Sequence, residues 1–339
     1  MANRKAVVVG AGSISNAWFD PLADEKVEVA GVVDLDASRA AGQIARHKLA
    51  CKPSDDLNAT LRAVRPDFVV DLTVPDAHCN VTCRALRGGC HVLGEKPMAA
   101  SMAEARRMVR AAERTGKCYM VSQSRRWAAT HERLARAIAG RRLGTLTTAN
   151  CDFYMARHSS CFRVTMDSPL ILDMAIHHFD LARMLTGTDP VAVYAHEFNP
   201  HGSWYDGDVA ASCIFEMTDG VVFTYRGSWC AEGWPTSWHG DWRLIGDRGT
   251  LVYERDREPR GKRVTRRTGR GKKPTLEPVK LPPARLKHQA MRGALREMLR
   301  YLRTGERPQT ECHDNIKSLA MVFAAMESSR KGRRVPVRT

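Results

Sequence analysis

The stretch Val7-Val8-Val9-Gly10-Ala11-Gly12-Ser13-Ile14-Ser15 constrains this chain more than any other. A β-branched run leads directly into two glycines one residue apart, and the residues after them have helical character. Gly10 suits the tight turn that ends the strand, and Gly12 lets a pyrophosphate approach the backbone. The amides of Ser13 and Ile14 then lie at the positive end of the following helix. The third glycine of the usual fingerprint is replaced by Ser15, which is small enough to keep helix and strand close. Asp34 ends the second β-branched run about twenty positions after Gly12, where a carboxylate accepts hydrogen bonds from adenine-ribose hydroxyls and repels a 2′-phosphate. These features together predict a dinucleotide site with NAD as cofactor. Ser38 and Arg39, close enough to cradle a phosphate, make NADP the alternative.

Through about residue 123, strand-like runs alternate with helical ones, the pattern of a parallel, doubly wound Rossmann sheet. Strands are expected at Lys5–Val9, Val27–Val33, Phe68–Leu72, His91–Leu93 and Tyr119–Ser122, with helices at 37–47, 57–64, 77–87 and 103–115. Ser101 is the expected cap of the last of these, with Glu104 three residues on. Beyond this point a helical segment (128–138), a strand (145–154) and an amphipathic helix (170–185) precede closely spaced strands from Ala192 to Tyr253, and two helical segments end the chain. The fold class is therefore α/β: a Rossmann domain over 1–123, then an α+β domain over 124–339 with a mostly antiparallel, open sheet.

The 339 residues, 43% of them hydrophobic, are enough for two cores. No apolar run is long enough to span a membrane, and Ala6–Val9 is too short for a signal-peptide core, so the cytoplasm is the expected location. Ten scattered cysteines without a CxxC pair read as reduced thiols rather than a disulfide or zinc framework. The formal net charge of +16 raises the question of polyanion binding. Its densest run, residues 255–273, is broken by Pro259, Gly261, Gly269 and Gly271 and has no apolar period. It reads as a solvated hairpin or loop, and nucleic acid is not the expected partner.

Four ordered landmarks lie beyond the glycine loop: Thr73-Val74-Pro75-Asp76-Ala77-His78, Gly94-Glu95-Lys96-Pro97, Arg125-Arg126-Trp127 and Asp173-Met174-Ala175-Ile176-His177. With them the chain resembles, over nearly its whole length, the Gfo/Idh/MocA family of sugar and inositol dehydrogenases. The resemblance implies an oxidoreductase moving hydride between nicotinamide and a secondary alcohol or ketone of a sugar, inositol or related polyol. It implies that Thr73, Pro75, His78, Glu95 and Lys96 border the cofactor, with Pro97 fixing the backbone beside the nicotinamide, often through a cis bond. It places Lys96, Asp173 and His177 as the catalytic set, with Arg125, Tyr154 and Arg163 beside them in the substrate pocket. No metal is implied.

The chemistry suits those residue types. A lysine stabilises a developing alkoxide, and a histidine titrates near working pH. Asp173 and His177, four apart, share a face if the segment is α-helical, and an ordinary structural pair has the same spacing. Asp167-Ser168-Pro169 stands where the family usually has glycines, with Asp167 or Ser168 as the expected cap of a helix that Pro169 begins. The aromatic and acidic group Trp204, Tyr205, Asp206, Asp208, Trp229, Trp234, Trp238 and Trp242 suits either a carbohydrate platform or an oligomer interface. A homodimer or homotetramer through the C-terminal sheet is expected. The reading from another class is a non-catalytic, dinucleotide-binding redox sensor.

Overall fold

A computed structural model describes residues 4–158, 162–266, 269, 271 and 273–339. The chain forms two compact units. The first comprises residues up to Trp127 together with His288–Leu319, and the second comprises Ala128–Lys287 with Ala320–Arg338. The chain thus returns to its first unit near its end, a feature absent from a simple two-segment division.

The first unit is built on six parallel strands: β1 (Lys5–Val9), β2 (Glu28–Val33), β3 (Pro53–Ser54), β4 (Phe68–Asp71), β5 (His91–Gly94) and β6 (Tyr119–Val121). Their order is β3-β2-β1-β4-β5-β6, so the sheet reverses direction of growth between β1 and β4. In open α/β sheets a ligand binds at the carboxyl edge beside such a reversal. The central strands are apolar because both faces are covered: Ala6, Val7, Val8, Phe68, Val69, Val70, Val92 and Leu93 are all solvent-free.

The covering helices are α1 (Asn16–Asp24), α2 (Ala37–His47), α3 (Leu57–Val64), α4 (Pro75–Arg87) and α5 (Met102–Thr115). Polar caps start three of them. Asp36 accepts the Ser38 amide, Asp56 accepts the Ala59 amide, and Ser101 accepts the Glu104 amide as its sequence position predicts. The two-residue β3, which only extends the sheet edge, has no apolar run to announce it.

In the second unit, α6 (Ala129–Ala139) precedes β7 (Leu146–Tyr154), and α7 (Ile176–Thr186) precedes β8 (Pro190–Phe198). The sheet continues with β9 (Ala210–Met217), β10 (Val222–Ser228), β11 (Asp241–Gly246), β12 (Gly249–Tyr253), β13 (Arg260–Arg266) and β14 (Thr275–Pro278). After α8 (Ala290–Thr304) and α9 (Cys312–Lys331), β15 (Val335–Pro336) completes nine strands in the order β14-β13-β12-β11-β7-β10-β9-β8-β15. Among the described residues, only the β7–β10 pairing of this sheet is parallel. One sheet face buries Phe153, Phe215, Phe223 and Trp242, with Phe179 of α7 edge-on to Phe215 at 4.8 Å. Alternate residues of the other face, including Tyr194, Phe198, Ile214 and Val222, are exposed.

The basic run is a hairpin, β13 with β14, and its arginines are partly neutralised: Arg263 pairs with Glu277 and Arg260 with Glu254. Arg267, Arg270 and Lys272 lie outside the described residues. Among the described residues no helix is long and apolar enough to cross a membrane.

Two expectations change. The helix expected over 170–185 is a π-helical stretch, Leu170–Ala175, running into α7. The aromatic cluster also divides: Trp229 and Trp242 are core fillers, whereas Trp234 and Trp238 are exposed, with Arg255 over the Trp234 ring at 4.3 Å. Spacing along the sequence does not separate inward from outward tryptophans at strand ends.

Candidate active site

The glycine loop sits between β1 and α1. Gly10 has φ +97°, and a Cβ there would lie 2.7 Å from the Leu72 carbonyl, so only glycine fits. Around Gly12 the space is open, with nothing within 4 Å of where a Cβ would stand. The opening is the kind a phosphate needs. Ser13 and Ile14 begin the helical turn, where the first amides have no intrahelical acceptor. Ser15 is fully buried and donates to the Gly12 carbonyl at 2.7 Å, so the serine at the third position ties the loop together.

Asp34 stands just after β2 and completes this cradle. One carboxylate oxygen accepts the Ala11 amide at 2.7 Å and the other accepts the Asp36 amide at 3.0 Å. The fold therefore brings together the first five predicted cofactor residues, Gly10, Gly12, Ser13, Ile14 and Asp34, at the carboxyl edge of β1 and β2. Arg39, the candidate phosphate ligand, faces Asp36 at 3.7 Å.

At the carboxyl end of β4 lies a group that sequence reasoning missed. Asp71 is fully buried and accepts from Thr73 Oγ1 at 2.6 Å and from Thr82 Oγ1 at 3.0 Å. His78 Nδ1 lies 3.1 Å from the same carboxylate. Pro75 opens α4, and His78, one turn in, is almost solvent-free with its Nε2 lacking a hydrogen-bond partner among the described residues. Burial pushes the His78 imidazole down, but the Asp71 charge and hydrogen bond, helped by Glu95, push it further up, so it titrates above the ordinary histidine value. The signal was a carboxylate closing an otherwise wholly apolar strand, Phe68-Val69-Val70-Asp71.

Glu95 stands just after β5. Its Oε1 accepts from Trp18 Nε1 at 2.9 Å, and its Oε2 lies 3.2 Å from the Lys96 amide. Burial raises the Glu95 carboxyl above the usual range, against the Trp18 bond and the Lys96 charge. The Lys96–Pro97 peptide is cis. Trp18 was the second unforeseen member, since a tryptophan inside an amphipathic helix reads as core.

Arg125 lies in the 3₁₀ turn Ser124–Trp127. Its neighbour Arg126 is buried and structural, donating to Asp314 at 2.9 Å and to the Gln309 carbonyl at 3.0 Å.

In the second unit, Asp173 stands in the π-helical stretch and His177 in the first turn of α7. The i, i+4 argument assumed α geometry throughout, and the wider π turn breaks that assumption. Such turns recur at functional sites. Arg163 Nε donates to Asp173 Oδ2 at 2.5 Å, bringing two of the predicted substrate residues together. Tyr154 ends β7, and its phenol is raised by burial. His178 turns into the core between Phe153 and Tyr225, while Asp180 is buried. Among the described residues the stretch begins at Pro169 without a side-chain cap, and Ser168 instead acts on the buried carboxyl of Glu197, holding its pKa down.

Residues 4–123 match the oxidoreductase family with an NAD-binding Rossmann fold, and residues 131–252 match the GFO/IDH/MocA C-terminal domain. The chain is 28% identical to D-apiose dehydrogenase of Paraburkholderia graminis, over 99% of this chain and 90% of that protein. It is 24% identical to 1,5-anhydro-D-fructose reductase of Ensifer adhaerens, over 98% of each. An oxidoreductase from Agrobacterium radiobacter, solved with NAD+, L-tartaric acid and magnesium, shares the fold with a TM-score of 0.86 at 20% identity, over 99% of both chains. The chain belongs to the Gfo/Idh/MocA family of oxidoreductases, and its residues 4–123 match the NAD-binding Rossmann domain of that family.

Proposed function

We propose that this protein transfers hydride between NAD and a secondary alcohol or ketone of a sugar, inositol or related cyclic polyol. The observation that carries the reading is that Lys96 comes after β5 at the same sheet edge as the glycine loop, beside a Glu95 locked by Trp18. The sugar-directed names of the two relatives support the substrate class.

When bound, the nicotinamide accepts or returns the hydride of the substrate carbon. Gly10, Gly12 and the amides of Ser13 and Ile14 would hold the pyrophosphate, and Asp34 the adenine ribose, disfavouring the 2′-phosphate of NADP. Thr73, Pro75 and Glu95 would border the nicotinamide half, with His78 behind them. Lys96 donates a hydrogen bond to the reacting oxygen and stabilises it as its charge grows. His177 takes the hydroxyl proton in oxidation and returns it in reduction, a step worth about 10²–10⁴-fold. Asp173, oriented by Arg163, accepts from a neighbouring hydroxyl. Arg125 and Tyr154 are assigned as further polar groups for the substrate.

The test is a screen of sugars, inositols and aminosugars for NADH formation, alongside NADH and NADPH fluorescence titrations. Absence of binding by either cofactor refutes the reading. Binding with no turnover of any substrate in either direction selects the non-catalytic sensor instead.

We also infer self-association through the exposed sheet face of the second unit. There Tyr194, Ile214, Thr224 and Arg226 help to line a broad depression of about 660 Å³, and Phe198 and Val222 extend the apolar surface. Ile214→Arg should convert an oligomer to a monomer in sedimentation. A wild-type monomer overturns that inference.

A further inference from the structure

The opposite edge of the Rossmann sheet, away from the glycine loop, carries a concentration of positive charge that the proposed reaction does not use. The C-terminal ends of α3 and α4 and the turns after them enclose a depression of about 810 Å³ lined by Arg62, Arg65, Arg84 and Arg87 with Asn58, and among the described residues no carboxylate lines it. Arg62, Arg65 and Arg87 are exposed. Arg84 donates to the neutral Asn58 Oδ1 at 3.2 Å. Asp56, the acid whose charge reaches Arg62 and Arg84, is already engaged as the cap of α3.

A second depression, about 490 Å³, shares Arg65, Pro66 and Gly89 with the first and adds Arg4, Lys117 and one carboxylate, Asp67. That carboxylate is held by Arg4 at 2.7 Å. Across the two adjoining depressions six cations therefore face one acid. His91 stands in the wall of the second: burial first, then Lys117 and Arg4 against the opposing Asp67 charge, push its imidazole down to about 4.

Helix-end electrostatics explains part of this. A cation in the last turn complements the helix dipole, and Arg62 and Arg84 or Arg87 fill that role. Like Lys48 after α2, Arg65 is a cation at a left-handed helix end. That residue stands past α3 at φ 48°, ψ 60°, the left-handed position where glycine or asparagine is favoured. An arginine there places a fourth guanidinium in the groove at a backbone cost of order 1 kcal/mol.

We propose that this groove binds an oligophosphate, either inorganic or the tail of a nucleotide. Guanidinium forks match phosphate oxygens bidentately, and several phosphates in a row are needed to meet cations spread over two depressions. Each depression has the volume of a small-ligand site, which favours a compact polyanion over nucleic acid.

The full-length protein, saturated with NADH, is titrated calorimetrically with sodium tripolyphosphate, ATP, adenosine and a short DNA duplex. At about 20 mM salt tripolyphosphate should bind, and raising salt to about 200 mM should weaken it about tenfold or more as screening grows. Equal affinity for ATP assigns the site to the phosphate chain alone, tighter ATP binding assigns it to a nucleotide, and adenosine should not bind. Arg62→Gln/Arg87→Gln should weaken tripolyphosphate at least about tenfold, through two lost charge-assisted contacts, without changing NADH affinity. If the double variant melts early, Arg87→Gln alone, at an exposed helix end, gives the same direction with a smaller factor. Absence of tripolyphosphate binding, binding unchanged in the variants, or tighter binding of the duplex than of tripolyphosphate overturns the proposal.

Discussion

Glu197 of β8 gives the sharpest test of how the segment before the π turn is held. Its side chain is 7% exposed, and its Oε2 has no hydrogen-bond partner among the described residues. Burial, followed by the like charge of Asp208, pushes the carboxyl up to about 7, against Ser168 and the charge of Arg330. Since the folded pKa exceeds the unfolded one, the fold holds a proton that the unfolded chain releases. The side chain therefore costs nothing at low pH and destabilises progressively as pH rises from 4.5 through 7. Taken between 4.5 and about 7, the cost is about 1 kcal/mol near pH 5 and about 3 kcal/mol near pH 8.

Glu197→Gln removes the titration and keeps the size. The variant should gain on the wild type as pH rises. For a unit of this size, about 2–4 °C per kcal/mol makes the change in melting-temperature difference roughly 5–9 °C between pH 5 and pH 8. A weaker interaction with Ser168 shifts the variant equally at every pH, so the slope with pH is the readout, measured by scanning fluorimetry across that range. A difference that stays flat with pH refutes a buried, proton-holding Glu197. One that falls with pH reverses the sign of the argument.

Other substitutions probe the site directly. Lys96→Met and His177→Ala should each lower kcat by about 10²–10⁴-fold while sparing NADH affinity, and normal turnover in both removes their assigned roles. Gly10→Ala drives a Cβ into the Leu72 carbonyl at a positive φ and should cost about 3 kcal/mol or more, abolishing NADH fluorescence enhancement. Asp34→Ala frees the Ala11 amide and removes the charge facing a 2′-phosphate, so the NAD-to-NADP preference should fall at least about tenfold. His78 is raised above 6.5 by Asp71, so its ion pair stabilises the fold below that value and the stabilisation fades as pH climbs past the raised one. In His78→Gln this loss of stability with rising pH should disappear; a retained loss assigns it to another group.

The sheet of the first unit was legible because parallel strands covered on both faces appear as short apolar runs, and β1 and α2 begin and end where the pattern does. The glycine loop was legible for a different reason, since Gly10 is a backbone requirement that no side chain hides. The chain's return through α8 was not, because an amphipathic helix does not specify which core it covers. Nor was the π turn before α7: its extra residue depends on packing, and nothing in Leu170–Ala175 distinguishes it from a helix of ordinary pitch. Asp173 and Arg163 were both named as substrate residues, but their pairing was not legible, because Arg163 is ten residues away in a separate 3₁₀ turn, at no periodic spacing.

The family resemblance names Glu95, after β5, but not Asp71, the buried acid at the end of β4, and the reason Asp71 resists sequence reading is thermodynamic. Carboxylates are almost never fully buried unless paired, and replacing a buried ion pair with apolar groups often stabilises a protein. Asp71 and Glu95 are therefore poor choices for stability alone, yet each is enclosed by specific donors: Thr73, Thr82 and His78 for one, Trp18 for the other. What such a cluster supplies is fixed orientation, because every donor must stay in register to keep the acid satisfied. Thr82→Val makes the distinction. If the cluster only held the fold together, loss of this donor would cost about 1–3 kcal/mol of stability and leave catalysis intact. If it orients the edge that carries Lys96, kcat should fall while KM holds, and the fall should persist at temperatures where the variant is fully folded.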